Sequence, residues 1–263
     1  MNTIKIYQVD AFTGSLFSGN PAAVCLLNDW LEDNILQSIA AENNLAETAF
    51  VIQQDDFFEI RWFTPTLEVD LCGHATLAAA FVIFNCLNYK ALEIVFHSPR
   101  SGILKVTQQN GILYLDFPTD TLESRINYNQ MKDCLGVLPV EIYKGKTDYI
   151  AIVESETVVL NIIPDFTEIA KLEARGLIVT AKGSKVDFVS RFFAPQSGIN
   201  EDSVTGSAHT SLIPLWSEKL GKNEMTAAQL SKRGGKLICI HKGERCMIGG
   251  QARLYMTGEI YIE

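Results

Sequence analysis

Apolar and polar positions alternate in short runs through most of this chain, and a two-residue period predicts strands. In the first half IKIYQVDAF, AAVCLL, TAFVIQ, FEIRWF, EIVFH and GILYLDF read this way. One stretch departs from the pattern: DWLEDNILQSIAAENN has apolar residues at 31, 35, 36, 39 and 40, the spacing of one helical face. After Pro118 the polar run TDTLESRINYNQ reads as a connection. A second set follows, with DYIAIV, TVVLNI, LIVTA, DFVSRFF, KLICIH, CMIGGQARLYM and GEIYIE as strands and a helix near DFTEIAKLEARG. Strands outnumber helices in both halves, which predicts an α+β protein.

The two halves also share a signature. RWFTP (61–65) recurs as RFFAP (191–195), and Glu68 with Gly73-His74-Ala75 is answered by Glu201 with Gly206-Ser207-Ala208, the second copy carrying three extra residues. A repeat at half the chain length predicts a duplicated lobe rather than a solenoid. The chain's 263 residues suit two such lobes. They are expected over 1–118 and 119–263, with the strand near 253–263 open to joining the first.

Each copy places glycine where a strand and turn run into a helix. HATLAAAFVIFNCL, after Gly73, is apolar nearly all round and predicts a core helix. SAHTSLIPLW follows Gly206, and Pro214 is expected to kink or shorten that helix. First-turn N–H groups lack partners, and a glycine lets a ligand approach them, so both sites are suited to an anion. The alternative is a glycine serving helix packing or a turn with positive φ.

Charge and cysteine content narrow the partners. With 31 acidic against 22 basic residues the formal charge is -9, and no basic stripe tracks a phosphate backbone. Nucleic acid is therefore excluded. The N-terminus reads as a strand rather than a signal peptide, and no apolar run approaches the ~20 residues of a membrane span, so a soluble cytoplasmic protein is expected. Six scattered cysteines without a paired Cys/His spacing predict free thiols and no metal.

Two acidic positions and one thiol attract chemical interest. Glu47 stands immediately before an apolar strand; a carboxylate there is either exposed at the strand end or buried, and burial raises a carboxyl above its usual pKa of about 4.3 and suits it to proton transfer. Asp202 beside Glu201 is a turn acid or an ion-pair partner. Cys72 and His74 lie two residues apart, which points them to opposite faces of a strand and about 200° apart on a helix, so a nucleophile and base pair is not expected.

The stretches GNPAAV (19–24), NLAETAFV (44–51), RWFTPTLEVDLCGHATLA (61–78), DFVSRFFAP (187–195) and EDSVTGSAH (201–209) resemble the phenazine-biosynthesis PhzF family, and the likeness spans nearly the whole chain. Ser203 departs from the proline common there. The resemblance implies the diaminopimelate epimerase-like fold, with two pseudo-symmetric lobes, each a mostly antiparallel β-sheet rolled around a central α-helix, and an active site in the cleft between them. It also implies a homodimer, no cofactor, and an isomerase that moves a proton at carbon in a small amino or cyclic carboxylic acid.

Carried over residue by residue, it makes Glu47 the general acid/base, joined by His74 and Asp202, the latter pairing with a substrate amine. Asn20, Gly73, Gly206, Ser207 and Cys72 become substrate-binding, although His74 and Ser207 also suit helix caps and Asn20 a turn before Pro21. The thiol epimerases of this fold use one cysteine from each lobe, at positions that here hold Cys72 and Thr205. Threonine supplies no thiolate, so Cys72 is expected to be a packed thiol, with a single-thiol epimerase or a non-catalytic binding protein as the alternatives. His209 is expected in the core.

Overall fold

A computed structural model describes residues 2–125 and 128–262. The chain forms two compact units, Met1–Asp116 with Gly249–Glu263, and Phe117–Ile248.

In unit 1 the elements run β1 (Asn2–Ala11), β2 (Asn20–Leu27), α1 (Asp33–Asn43), β3 (Glu47–Gln53), β4 (Phe58–Phe63), β5 (Glu68–Val69), α2 (Gly73–Phe81), β6 (Glu93–Ser98), β7 (Gly102–Gln109) and β8 (Ile112–Pro118). β1 lies antiparallel to β2 and to the last strand, Ala252–Ile262. β2 and β3 are parallel, linked through α1, and β4 pairs parallel with β6, linked through α2; the neighbouring pairs β3–β4, β4–β5, β6–β7 and β7–β8 are antiparallel. The chain enters β2 through Gly19, at φ +69, where a Cβ would stand 2.1 Å from the Ala11 carbonyl oxygen, so only glycine makes this turn.

Unit 2 repeats the plan. It runs β9 (Glu123–Arg125), α3 (Tyr128–Leu135), β10 (Glu141–Lys144), β11 (Asp148–Ile152), α4 (Glu156–Asn161), α5 (Phe166–Ile169), β12 (Gly176–Lys182), β13 (Phe188–Ala194), β14 (Ile199–Asp202), α6 (Ala208–Leu220), β15 (Glu224–Gln229), β16 (Gly235–Lys242) and β17 (Arg245–Gly250). β11 and β12 are parallel across α4 and α5, β13 and β15 parallel across α6, and β10–β11, β12–β13, β13–β14 and β15–β16 antiparallel. Each unit is thus α+β, a mostly antiparallel sheet around a central helix.

The central helices explain the all-round apolar stretches. α2 is buried from Gly73 to Ala80 and packs on β1, β2, β3 and the last strand. In α6, Trp216 stacks on Phe188 at 5.7 Å and donates its indole N–H to Thr180 Oγ1 at 3.0 Å. The repeated RxF and Glu hold each sheet in the same way. Arg61 forks onto Glu68, with Nε–Oε1 at 2.7 Å and Nη2–Oε2 at 2.9 Å; Arg191 forks onto Glu201 at 2.7 and 3.0 Å. Each guanidinium lies over the phenylalanine two residues further on, Phe63 or Phe193. The three extra residues of the second copy are taken up by a 3₁₀ turn, Pro195–Ser197.

Several expectations change. TVVLNI belongs to a helix, α4, and the helix near DFTEIAKLEARG shrinks to the four residues of α5. The run after Pro118 holds β9 and the start of α3, while residues 126–127 within it lie outside those described. CMIGGQARLYM breaks at Gln251, and its second part continues through GEIYI as one strand. The second unit ends at 248, because the last strand pairs with β1. α6 runs past Pro214 to Leu220; the Thr210 carbonyl that proline leaves without its helical donor accepts the Asp120 N–H at 3.1 Å instead. Among the described residues no helix is long and apolar enough to cross a membrane.

Candidate active site

In unit 1, adjacent parallel strands begin side by side, with Ala22 opposite Glu47, so Asn20 at the head of β2 and Glu47 at the head of β3 come close together. The first turn of α2 brings His74 between them. Asn20 Nδ2 lies 3.1 Å from His74 Nδ1, and Glu47 Oε2 lies 3.1 Å from His74 Nε2. All three are shielded: Asn20 is 1% exposed and His74 4%. With the Asn20 amide donating, Nδ1 is the acceptor and the ring proton sits on Nε2, the nitrogen facing Glu47. The approach is close but poorly aligned, and both Glu47 Oε2 and His74 Nε2 are buried without a directed hydrogen bond.

Cys72 is nearer to His74 than expected, with Sγ 3.5 Å from Nδ1. The reasoning from a uniform strand or helix fails because Cys72 is the N-cap, extended at φ -138 and ψ 108, while His74 is already helical. Proximity does not make the thiol reactive. Burial, assisted by the Glu47 carboxylate, pushes Cys72 up to about 11. Burial pulls His74 down, but Cys72 and Glu47 on its two edges outweigh it and hold the imidazole well above its ordinary value. Charging the ring requires the Asn20 amide to turn its oxygen toward Nδ1.

Glu47, Cys72 and His74 offer donor atoms within 4.8 Å of one another, a soft set of the kind zinc accepts. They do not converge on one point, since the sulfur lies at the Nδ1 edge of the ring and the carboxylate at the Nε2 edge. A single ion bonds one ring nitrogen and leaves one of the other two donors out of reach unless a rotamer changes.

In unit 2, β14 ends at Asp202, whose Oδ2 accepts from Thr205 Oγ1 at 2.6 Å. Gln229 braces this turn: its Oε1 accepts from the Thr205 N–H at 2.8 Å and its Nε2 donates to the Asp202 carbonyl at 2.9 Å. Ser207, immediately before α6, accepts a hydrogen bond from Arg175 Nη1 at 2.8 Å. Arg175 is itself anchored on Asp148, 1% exposed, through Nε to Oδ1 at 3.0 Å and Nη2 to Oδ2. Arg175, Asp148 and Gln229 escaped sequence reasoning. Each sits singly at the edge of an apolar strand, and only the fold shows what it reaches.

Gly73 and Gly206 do not have positive φ, so a left-handed turn is not their purpose. The N–H groups of Gly73, His74, Gly206 and Ser207 have no partner among the described residues. His209 lies wholly in the core. Its Nδ1 donates to the Thr205 carbonyl at 2.8 Å, its ring packs at 6.0 Å from Phe188, and burial pulls it down to about 4. An apolar hollow of about 330 Å³ between Leu135–Val137 and Thr157–Ile163 holds no titratable side chain and none of these residues.

The model for the phenazine biosynthesis-like proteins matches residues 9–258. Two uncharacterised isomerases of Pseudomonas aeruginosa are 47% and 48% identical to the chain, the first over 98% of this chain and 99% of its own, the second over 98% of each. The crystal structure of a PhzF-family protein from Enterococcus faecalis is similar with a TM-score of 0.96 and 45% identity, covering 99% of this chain and 100% of that one. Continuous likeness over both units, carrying the motifs that build the two residue clusters, makes the chain a member of the phenazine biosynthesis-like (PhzF) family and an isomerase.

Proposed function

We propose that the chain catalyses cofactor-independent isomerisation of a small amino or cyclic carboxylic acid, with Glu47 removing and returning a proton at carbon. One observation carries this reading. Glu47 Oε2 is buried, close to the His74 Nε2–H, and committed to no directed hydrogen bond, so it is available to a substrate proton. In this reading Asn20 holds the His74 ring and His74 steadies the carboxylate. Within unit 1 the unpaired N–H groups of Gly73 and His74 are suited to a carboxylate; within unit 2 the N–H groups of Gly206 and Ser207, with the Ser207 hydroxyl, are suited to one as well, and Asp202 is suited to an amine. Cys72 packs against the ring.

The test is a set of amino and cyclic carboxylic acids incubated in D2O and followed by mass shift. Glu47→Gln keeps the shape and loses the transferable proton, so exchange should fall by ~10²- to 10⁴-fold while the fold persists. Undiminished exchange in that variant would remove Glu47 from the role. No exchange into any acid by the wild type, with tight binding of one of them, would favour a binding protein.

A further inference from the structure

The duplicated frame allows the two units to be compared place by place. In unit 1 Phe63 stands opposite Thr48 and Glu68; in unit 2 Phe193 stands opposite Leu177 and Glu201. With the two phenylalanines equated, Glu47, one residue before Thr48, corresponds to Gly176, one residue before Leu177. A Cβ at Gly176 would lie 2.5 Å from the Phe192 ring and 2.7 Å from the Phe193 carbonyl oxygen, so no side chain fits there. The place of the carboxylate is blank in unit 2.

The same register equates Ala22, opposite Glu47, with Asp148, opposite Gly176. A small apolar residue in one unit is thus a buried acid in the other, and that acid anchors Arg175, next to the blank position. The guanidinium lies over Phe192 at 5.2 Å and is spread between Asp148 and Ser207. Ser207 follows Gly206 as His74 follows Gly73. Its oxygen is occupied as an acceptor by Arg175, and its own proton has no acceptor among the described residues.

We propose that Arg175, anchored on Asp148, is a positioning residue that fixes the Ser207 hydroxyl as a hydrogen-bond donor to the substrate carboxylate. This rests on reading Ser207 as an anion-holding residue. A serine hydroxyl alone rotates among its staggered positions and donates or accepts as neighbours allow. A guanidinium hydrogen on one of its two lone pairs turns the O–H away from Arg175 and polarises it, and Arg175 cannot itself swing away while its fork is bound to a buried carboxylate.

Sulfate serves as the probe, its affinity measured by calorimetry on the full chain for the wild type, Ser207→Ala, Arg175→Lys and the double variant. Lysine keeps the charge and one contact with Asp148 but cannot span Asp148 and Ser207 together. Each single variant should bind sulfate ~10-fold more weakly, and the double variant no more weakly than either, because all three lose the same hydrogen bond. Arg175→Lys at wild-type affinity with Ser207→Ala weakened overturns the inference and spares the reading of Ser207. Additive losses make Arg175 an independent charge and also overturn it. Wild-type affinity in Ser207→Ala, or no sulfate binding by the wild type, defeats the anion-holding reading and the inference with it. If Arg175→Lys does not fold, Arg175→Gln/Asp148→Asn, which removes both charges together, replaces it in the same comparisons.

Discussion

Two histidines in closely similar positions, each near the start of a core helix, have opposite electrostatics because of what surrounds them. His74 has a carboxylate at its Nε2 edge; the Nε2 of His209 is buried without a partner. His209 therefore stays neutral in the fold and charges readily in the unfolded chain. Its folded pKa of about 4 lies below the unfolded value, so the unfolded state binds more protons between about 6.5 and 4 and stability falls as pH falls through that window. The full difference is ~3 kcal/mol by that linkage. His209→Asn keeps a donor for the Thr205 carbonyl and cannot charge, so its denaturation midpoint should change less between pH 7 and pH 4.5 than the wild type's; equal slopes would show that other groups dominate. For Cys72, a thiol held near 11 is protonated at neutral pH, so Cys72→Ala should keep exchange within ~10-fold of wild type. A loss beyond ~10³-fold would restore a thiol mechanism. Much at this scale was legible through the family resemblance, which named Asn20, Glu47 and His74 together, and the three do meet. The Cys72 contact was not, since it depends on a cap conformation that no periodicity encodes.

The strands were legible because alternation is a local property, and α4 was not because its cause is tertiary. ETVVLN is rich in β-branched residues, which favour a strand. It is helical because both ends are satisfied by side chains: Ser155 Oγ accepts the Val158 N–H at 3.3 Å, and Arg191 Nη1 donates to the Val159 and Ile162 carbonyls at 3.2 and 2.8 Å. Arg191 comes from β13, so one residue of the repeat signature both clamps Glu201 and closes a helix. Removing the N-cap with Ser155→Ala should cost ~1 kcal/mol and raise amide exchange across α4 about fivefold. Arg191→Met removes the helix closure and leaves Glu201 without its partner, at ~3 kcal/mol. Equal effects of the two would mean that Arg191 matters only as a cap. Pro214 teaches the same lesson from the other side. Because Asp120 already occupies the Thr210 carbonyl, Pro214→Ala should stabilise by less than about 1 kcal/mol, well short of the ~3 kcal/mol that relieving an interior proline usually returns.

At the scale of the molecule, a duplication was readable from two short motifs and the last strand was left open to joining the first lobe, but β1 as its partner was not readable, since alternation says that a strand exists and nothing about what it pairs with. The pairing has a large consequence for unit 1. The last strand runs antiparallel to β1 from Asn2 opposite Ile262 to Ala11 opposite Ala252, with one register shift between Gln8 and Val9. Most of its side chains are exposed, so it contributes mainly through the backbone ladder and through Ile260 and Ile262 against the cluster that contains Ile4 and Ile6. A ladder of this length, at ~1 kcal/mol net per hydrogen bond, is comparable to the whole stability of a domain, ~5 to 15 kcal/mol. Chain ended at Ile248 should therefore lose unit 1 while keeping unit 2, whose residues are contiguous. Hydrogen exchange followed by mass spectrometry reads this directly. Peptides from β1 and β2, with Asn20, should exchange at nearly unfolded rates, peptides from β12 and β13 should stay protected, and a synthetic peptide of residues 249–263 should restore protection to the first set by adding back the missing strand. Protection of β1 and β2 in the truncated chain without the peptide would show that unit 1 closes without its last strand.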